Sequence, residues 1–277
     1  MTEHPVFTKT DCGQQGNEQM EYKTIQYDVD GEIGILTYNR PHVVNAMNNE
    51  MVAELVDFWR KREDDYSVKV IITRGAGEKG FCSGMDLKQF SGRPETKVGP
   101  DDFYHGQSFF SKLYRLMRSC PQPIIAAIHG PAMGGGLSLA LASDIRLASQ
   151  DAMFCAQYIN IGVGGADMGS SYFLWRIVGW GKAAEMCLTG IRIFADEALR
   201  IGLVNYVHSR ENLMPAAMEI AKSMTSKSRI ALHLTKEALN SALNAMSLED
   251  AVKMEDRNQS FMTMSGLVNT KIQRLLV

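Results

Sequence analysis

The sequence predicts an α/β fold with an all-helical C-terminal region, and three observations predict it. Two short apolar strands, Ile25 to Val29 and Ile33 to Tyr38, flank Asp30-Gly31, a hairpin turn signal. An apolar run with strand character, Pro123 to Ile128, passes through His129-Gly130 into Pro131-Ala132-Met133-Gly134-Gly135-Gly136, and then into the helical stretch Leu137 to Ala142. From Glu211 onwards no strand pattern is present.

The remaining elements follow in order. Residues 2–20 are polar and rich in Gly and Gln, so residues 1–20 are expected to form a mobile tail. Asn48 to Glu63 has helical spacing, with Met51, Leu55, Phe58 and Trp59 on one face. Val68 to Thr73 reads as a buried strand, followed by the small-residue turn Phe81-Cys82-Ser83-Gly84-Met85-Asp86-Leu87. The stretch from Ser91-Gly92-Arg93-Pro94 to Gly99-Pro100 reads as a mobile loop. Phe103 to Met117 is a second helix, Arg176 to Cys187 and Ala195 to Arg200 are shorter ones, and another starts near Ser170. Helices are expected near Leu213 to Ser223, Ile230 to Ala245 and Leu248 to Met264. The expected division is a tail at 1–20, an α/β core at 21–208 and a helical region at 209–277.

Composition narrows the function. A chain of 277 residues with 45% hydrophobic and 22% charged residues suits a globular enzyme with one sizeable core. A net charge of −2 gives no reason to expect a polyanion partner, so nucleic acid is not one. Five cysteines (Cys12, Cys82, Cys120, Cys155, Cys187) are odd in number and unpaired in spacing, which suits a reducing cytosol. No Cys or His spacing fits a metal site. The longest apolar stretch, Pro123 to Ala142, is interrupted by four glycines, a histidine and two prolines, so no membrane span is expected. With no signal pattern at the N-terminus either, the expected localisation is cytoplasmic.

Chemistry enters with the two small-residue turns. Glycines without Cβ atoms let a ligand approach the main chain, and the free N–H groups of a new helix point at it. Two strand-end turns can each aim one N–H at the same carbonyl oxygen. Alone, Gly134-Gly135-Gly136 reads equally as a turn that packs a helix against a sheet.

Taken with Tyr38-Asn39-Arg40-Pro41 and Asn45-Ala46-Met47, the order of these segments resembles the crotonase (enoyl-CoA hydratase/isomerase) superfamily. Ala142 to Ala148 and Ala195 to Val204 extend the resemblance, which runs from about Tyr22 to about Asn258. It implies a spiral of ββα turns followed by helices that make trimer contacts, so the expected assembly is a homo-trimer or hexamer. It implies an acyl-CoA substrate, with coenzyme A present only as part of that substrate and no tightly bound cofactor. It also implies that the N–H groups of Met85 and Gly135 hold a thioester enolate. Val43, Val44, Ala46, Ser83, Met85, Asp86 and Leu87, with Gly134 and Gly135, match positions that cradle coenzyme A. Arg40 and Lys88 read as phosphate ligands or as a solvated charged face.

The sequence departs from the family's hydratases at two carboxylates. Where they carry glutamates, this chain has Ser138 and Tyr158. Ser138 reads as a water-orienting hydroxyl or a small residue at a helix start; Tyr158 as a hydrogen-bond donor or a half-buried aromatic. His129 is read as packing at a strand end, and Asp144 as a turn anchor. Ala166-Asp167-Met168-Gly169 resembles the segment that carries a catalytic aspartate in the dienoyl-CoA isomerase branch. Asp167 therefore reads as the acid/base, or as a turn or cap residue before the next helix. The expected function is enolate chemistry on an acyl-CoA, with isomerisation or another proton transfer favoured over hydration. Carbon–carbon bond chemistry of the naphthoate-synthase kind, and a silent thioester-binding subunit, are the alternatives.

Overall fold

The computed structural model describes residues 22–89 and 99–264. The expected tail at 1–20, most of the loop after Ser91 and the residues beyond 264 lie outside this range.

The hairpin forms as its turn signal requires. β1 (Ile25–Asp30) and β2 (Ile33–Tyr38) pair antiparallel, with Gly31 at φ +60° between them. α1 (Asn49–Arg62) begins where the Asn48 side chain accepts the Met51 N–H at 2.9 Å. Its stripe of Met51, Leu55, Phe58 and Trp59 is buried. β3 (Val70–Gly75) starts two residues later than the sequence pattern. α2 (Pro100–Ser119) is longer than its pattern, because Pro100 suits the first helical position. β4 (Ile124–Ile128) and β5 (Pro131–Met133) precede α3 (Gly135–Ala142). β6 (Ile145–Ser149), β7 (Met153–Cys155) and α4 (Ser170–Val178) follow.

The helix expected over Arg176 to Cys187 is in fact parts of two. α4 stops and α5 (Trp180–Thr189) starts at Gly179, whose φ of 79° and ψ of 160° fit neither helix. The apolar spacing continues across the break, so periodicity alone hides it. β8 (Ile193–Phe194), α6 (Ala195–Arg200) and β9 (Tyr206–His208) complete the α/β portion. α7 (Arg210–Thr225), α8 (Arg229–Ala242) and α9 (Leu248–Met264) form the helical region. No helix among the described residues is long and apolar enough to cross a membrane.

A six-stranded sheet runs β1-β2-β3-β4-β6-β9, parallel except for the first pair. Alternation along each strand splits its side chains between two cores. Leu36, Tyr38, Ile71, Ile124, Ala126 and Ile128 face the large core with α1, α2 and α3. Ile33, Val70, Ile72, Ile125, Ala127 and Leu147 face Leu213, Ala217 and Ala221 of α7. β5, β7 and β8 make a second, three-stranded sheet. The sequence pattern did not mark β5 or β8, which have three and two residues.

Asp144 ties the helical region to this frame. Its carboxylate accepts from the Ile124 N–H at 2.8 Å and pairs with Arg118 at 2.7 Å and the buried Lys236 of α8 at 2.9 Å. Burial opposes its ionisation, but the Lys236 and Arg118 cations and the Ile124 N–H outweigh burial and hold it below the usual carboxylate range. The sequence made it a turn anchor; its partners instead belong to β4, α2 and α8, so it joins three elements. A lowered carboxyl pKa gives stability that is present above the unfolded value and lost as pH falls through the folded one. Asp144→Ala strands the Lys236 ammonium, and should cost about 3–5 kcal/mol. Urea unfolding at neutral pH checks this; a wild-type midpoint for the variant contradicts it.

Candidate active site

The site begins with a loop held in an unfavourable backbone conformation. Val44 and Asn45 have φ of 55° and 54°, which a β-branched residue rarely adopts. The buried Asn45 side chain holds them there. It accepts the Arg40 N–H at 2.9 Å and donates to the carbonyls of Ala76 at 3.0 Å and Gly80 at 2.8 Å. The loop thereby presents its carbonyls to the turn after β3. The Ser83 N–H donates to Val44 O at 2.9 Å, and the Ser83 hydroxyl to Val43 O at 3.2 Å.

That turn is stitched on both edges. Met47 forms a parallel bridge with Met85, through Met47 N–H to Gly84 O at 2.7 Å and Asp86 N–H to Met47 O at 2.9 Å. The bridge uses the groups on either side of Met85, so the Met85 N–H points away from it. On the other edge, Cys82 N–H donates to Pro131 O and Met133 N–H to Cys82 O, both at 3.0 Å. The chain leaves β5 through Gly134, at φ 50° and ψ −118°, and α3 begins at Gly135. As the first residue of a helix, Gly135 has no intrahelical acceptor for its N–H. Neither N–H donates to a backbone carbonyl among the described residues.

Glycine makes the two turns fit. A Cβ on Gly136 would lie 2.1 Å from the Cys82 carbonyl oxygen, and one on Gly84 would lie 2.7 Å from Met133 O and 3.4 Å from Gly135 N. The two N–H-bearing segments are therefore in direct contact.

The side chains around them differ from the sequence expectations in detail. Ser138 and Tyr158 meet: their hydroxyls are 2.7 Å apart and buried. Tyr158 is 4% exposed, so it is a core residue and not a half-buried one. Burial pushes its hydroxyl far above the ordinary tyrosine range, so the pair is neutral at physiological pH. Tyr114 of α2, which sequence reasoning missed as a site residue, places its hydroxyl 3.1 Å from Gly135 O and 3.2 Å from Met168 Sδ. Its only signal was a place on the apolar face of α2.

Asp167 does not cap α4; Gly169 occupies that position. Its Oδ1 accepts the Met168 N–H at 2.7 Å and the Gln107 Nε2 at 2.6 Å. Burial raises its pKa, and these two donors only partly oppose the rise. The charge of Asp167 is felt at both Tyr114 and Tyr158, so the three groups share one neighbourhood.

The candidate cradle is partly assembled. Val43 and Val44 are bonded to Ser83, and Ala46 to Val43 and next to Met47, which bridges Met85, while Leu87 is exposed. The Asp86 carboxylate pairs with Arg40 at 2.9 Å, so Arg40 braces the turn. His129 lies apart, its Nε2 2.9 Å from Gly77 O, as a strand-end packing residue. Cys82, Cys120, Cys155 and Cys187 are all free thiols. Among the described residues no cluster of three His, Cys, Asp or Glu can hold a metal ion.

With this geometry in place, comparison with known proteins identifies the family. Residues 28–270 match the family model described as enoyl-CoA hydratase/isomerase. This chain belongs to that family. It is 38% identical over 235 residues to a probable enoyl-CoA hydratase of Mycobacterium leprae, covering 84% of this chain and 80% of that protein. A probable enoyl-CoA hydratase/isomerase from Mycobacterium abscessus superposes with a TM-score of 0.80 at 36% identity, covering 87% of this chain and 91% of that one. A monofunctional enoyl-CoA isomerase from M. smegmatis gives 0.67 at 34% identity, covering 83% and 98%. The expected crotonase-type fold, mixed α/β with a helical C-terminal region, is thereby shown.

Gly136→Ala tests the contact between the turns. Its methyl group meets backbone, which cannot rotate away, so α3 must shift from Cys82. We expect a loss of about 1–3 kcal/mol in stability by urea unfolding and loss of acyl-CoA turnover. Wild-type values for both would show that the two turns are not held by this approach.

Proposed function

We propose that this protein moves a double bond in an acyl-CoA thioester, using the Met85 and Gly135 N–H groups to stabilise an enolate and Asp167 to carry the proton. Coenzyme A would enter only as part of the substrate, against Val43, Val44, Ala46, Ser83 and the Gly84-Met85 turn. Two preorganised backbone donors at roughly 2.7–3.1 Å from a developing oxyanion supply the stabilisation. In a β,γ-enoyl thioester, the C–H bond at the α carbon breaks and its electron pair delocalises into the thioester as a dienolate. The proton goes to Asp167 and returns to the γ carbon, so nothing else is consumed.

The observation that carries the proton-transfer reading is the contrast between carboxylate and hydroxyls. Asp167 is the only carboxylate from Met153 to Gly181, and burial raises its proton affinity towards the working range of a general base. Ser138 and Tyr158 are spent on each other and stay neutral, which leaves no carboxylate pair to activate and deliver water.

Asp167→Asn keeps the acceptor for the Met168 N–H and removes the base. Isomerisation of a β,γ-enoyl-CoA should fall about 10²-fold or more, with KM little changed. The base works ionised, so the wild-type rate should fall as pH drops through a pKa above the ordinary aspartate range. Crotonyl-CoA hydration should be slow in both proteins. Full turnover in Asp167→Asn assigns the chemistry elsewhere, and fast hydration by wild type sinks the isomerase preference.

We also propose assembly into a trimer or a dimer of trimers. Leu239, Met246, Leu248, Phe261 and Met264 in and around α8 and α9 are exposed apolar side chains, Met246 by 95%. Light scattering at micromolar concentration should give three or six chain masses; a monomer mass contradicts the proposal.

A further inference from the structure

We infer that Gln107 of α2 is a positioning residue for Asp167, clamping Oδ1 so that Oδ2 alone meets the substrate carbon. This rests on the reading of Asp167 as proton carrier.

The geometry is specific. Two donors converge on one oxygen, the Met168 N–H at 2.7 Å and Gln107 Nε2 at 2.6 Å. A carboxylate only accepts, so the Gln107 amide must turn its NH2 towards it. No side chain or backbone group among the described residues donates to Oδ2. The lone pairs of Oδ2 are thus the ones left to take a proton and give it back.

The backbone beneath the carboxylate is fixed independently. The Asp167 N–H donates to Ser170 Oγ at 3.0 Å, and the Ser170 N–H to Asp167 O at 2.9 Å. Met168 follows at φ 50°, a conformation that costs a non-glycine residue energy, and its N–H donates to Oδ1. These contacts fix the main chain and give Oδ1 one local donor, about a terminal bond that is otherwise soft, with a broad, two-fold profile. Gln107 is the side chain from outside the loop that selects one orientation, across 60 residues of sequence.

Gln107 also sets the proton affinity. Burial raises the Asp167 pKa, and Met168 N–H and Gln107 are what oppose it. The titratable groups facing it are Tyr114 from α2 and Tyr158 from the turn after β7, and burial keeps both neutral. With no charged side chain of the described residues among its determinants, one amide donor has leverage over the base.

The test is a pH profile of kcat and KM for isomerisation of a β,γ-enoyl-CoA by Gln107→Leu, Gln107→Glu and Gln107→Lys, beside wild type and Asp167→Asn. Gln107 is exposed, so none of these should disturb folding. The leucine variant removes one donor to a charged acceptor. Its acid limb should move up by about half to one pH unit, with kcat at neutral pH down about 3–10-fold and KM unchanged. The glutamate variant puts a like charge beside Asp167 and should move the limb higher still. The lysine variant should move it down. Opposite shifts from opposite charges are not what a purely structural role gives. If all three keep the wild-type limb and kcat while Asp167→Asn is inactive, Gln107 is idle and the inference falls, although the Asp167 reading survives. If Asp167→Asn turns over like wild type, that reading fails and takes the inference with it.

Discussion

The site depends on one close approach, between the Cα of Gly136 and the carbonyl of Cys82. Only a residue without a side chain lets the start of α3 sit this near the turn after β3. The approach is enforced from both flanks. Strand-like hydrogen bonds join Cys82 to Pro131 and Met133, and Met47 to Gly84 and Asp86. The Val44-Asn45 loop, held at positive φ by the buried Asn45 amide, braces the same turn from outside. Strain in that loop is offset by the rigidity that the proposed function asks of two N–H groups that keep their aim during reaction.

Around this backbone the side chains divide by charge. The Ser138–Tyr158 pair satisfies two buried hydroxyls with each other, which is how a buried polar group avoids the cost of desolvation. The same pairing removes both from acid–base work near neutral pH. Asp167 stands at the edge of the cluster, half-buried, and burial raises its proton affinity. Asp144 shows the opposite solution in the same molecule. It too is partly buried, but Lys236 and Arg118 keep it ionised and structural. Two aspartates of one chain are thus pushed in opposite directions, Asp144 held ionised by its cations and Asp167 raised in proton affinity by burial.

The sequence makes local features readable and hides distant ones. Asp30-Gly31 marks the hairpin, and Gly134 to Gly136 marks a strand-to-helix turn, because backbone demands at those points admit few residues. The family resemblance placed Met85 and Gly135 in corresponding turns, and the fold brings those turns into contact. The break at Gly179 was hidden by apolar spacing that continues through it. Ser138 and Tyr158 are 20 residues apart, and Gln107 and Asp167 are 60 apart, so neither partnership has a sequence signature. Tyr158 looked like a partly exposed aromatic because what covers it includes Gly134 and Ser138, which are distant in sequence. Arg40 could be given to a phosphate or to solvent until Asp86 was seen to claim it.

The central claim is that the two turns and Asp167 together generate an enolate. Its most direct measurement is exchange of solvent deuterium into the α carbon of a saturated acyl-CoA, followed by mass spectrometry, because this requires no double bond and no water addition. The account predicts that wild type exchanges the α hydrogens and that Asp167→Asn binds the same thioester but exchanges them about 10²-fold more slowly or worse. Tight thioester binding by wild type with no exchange above the uncatalysed rate would contradict it.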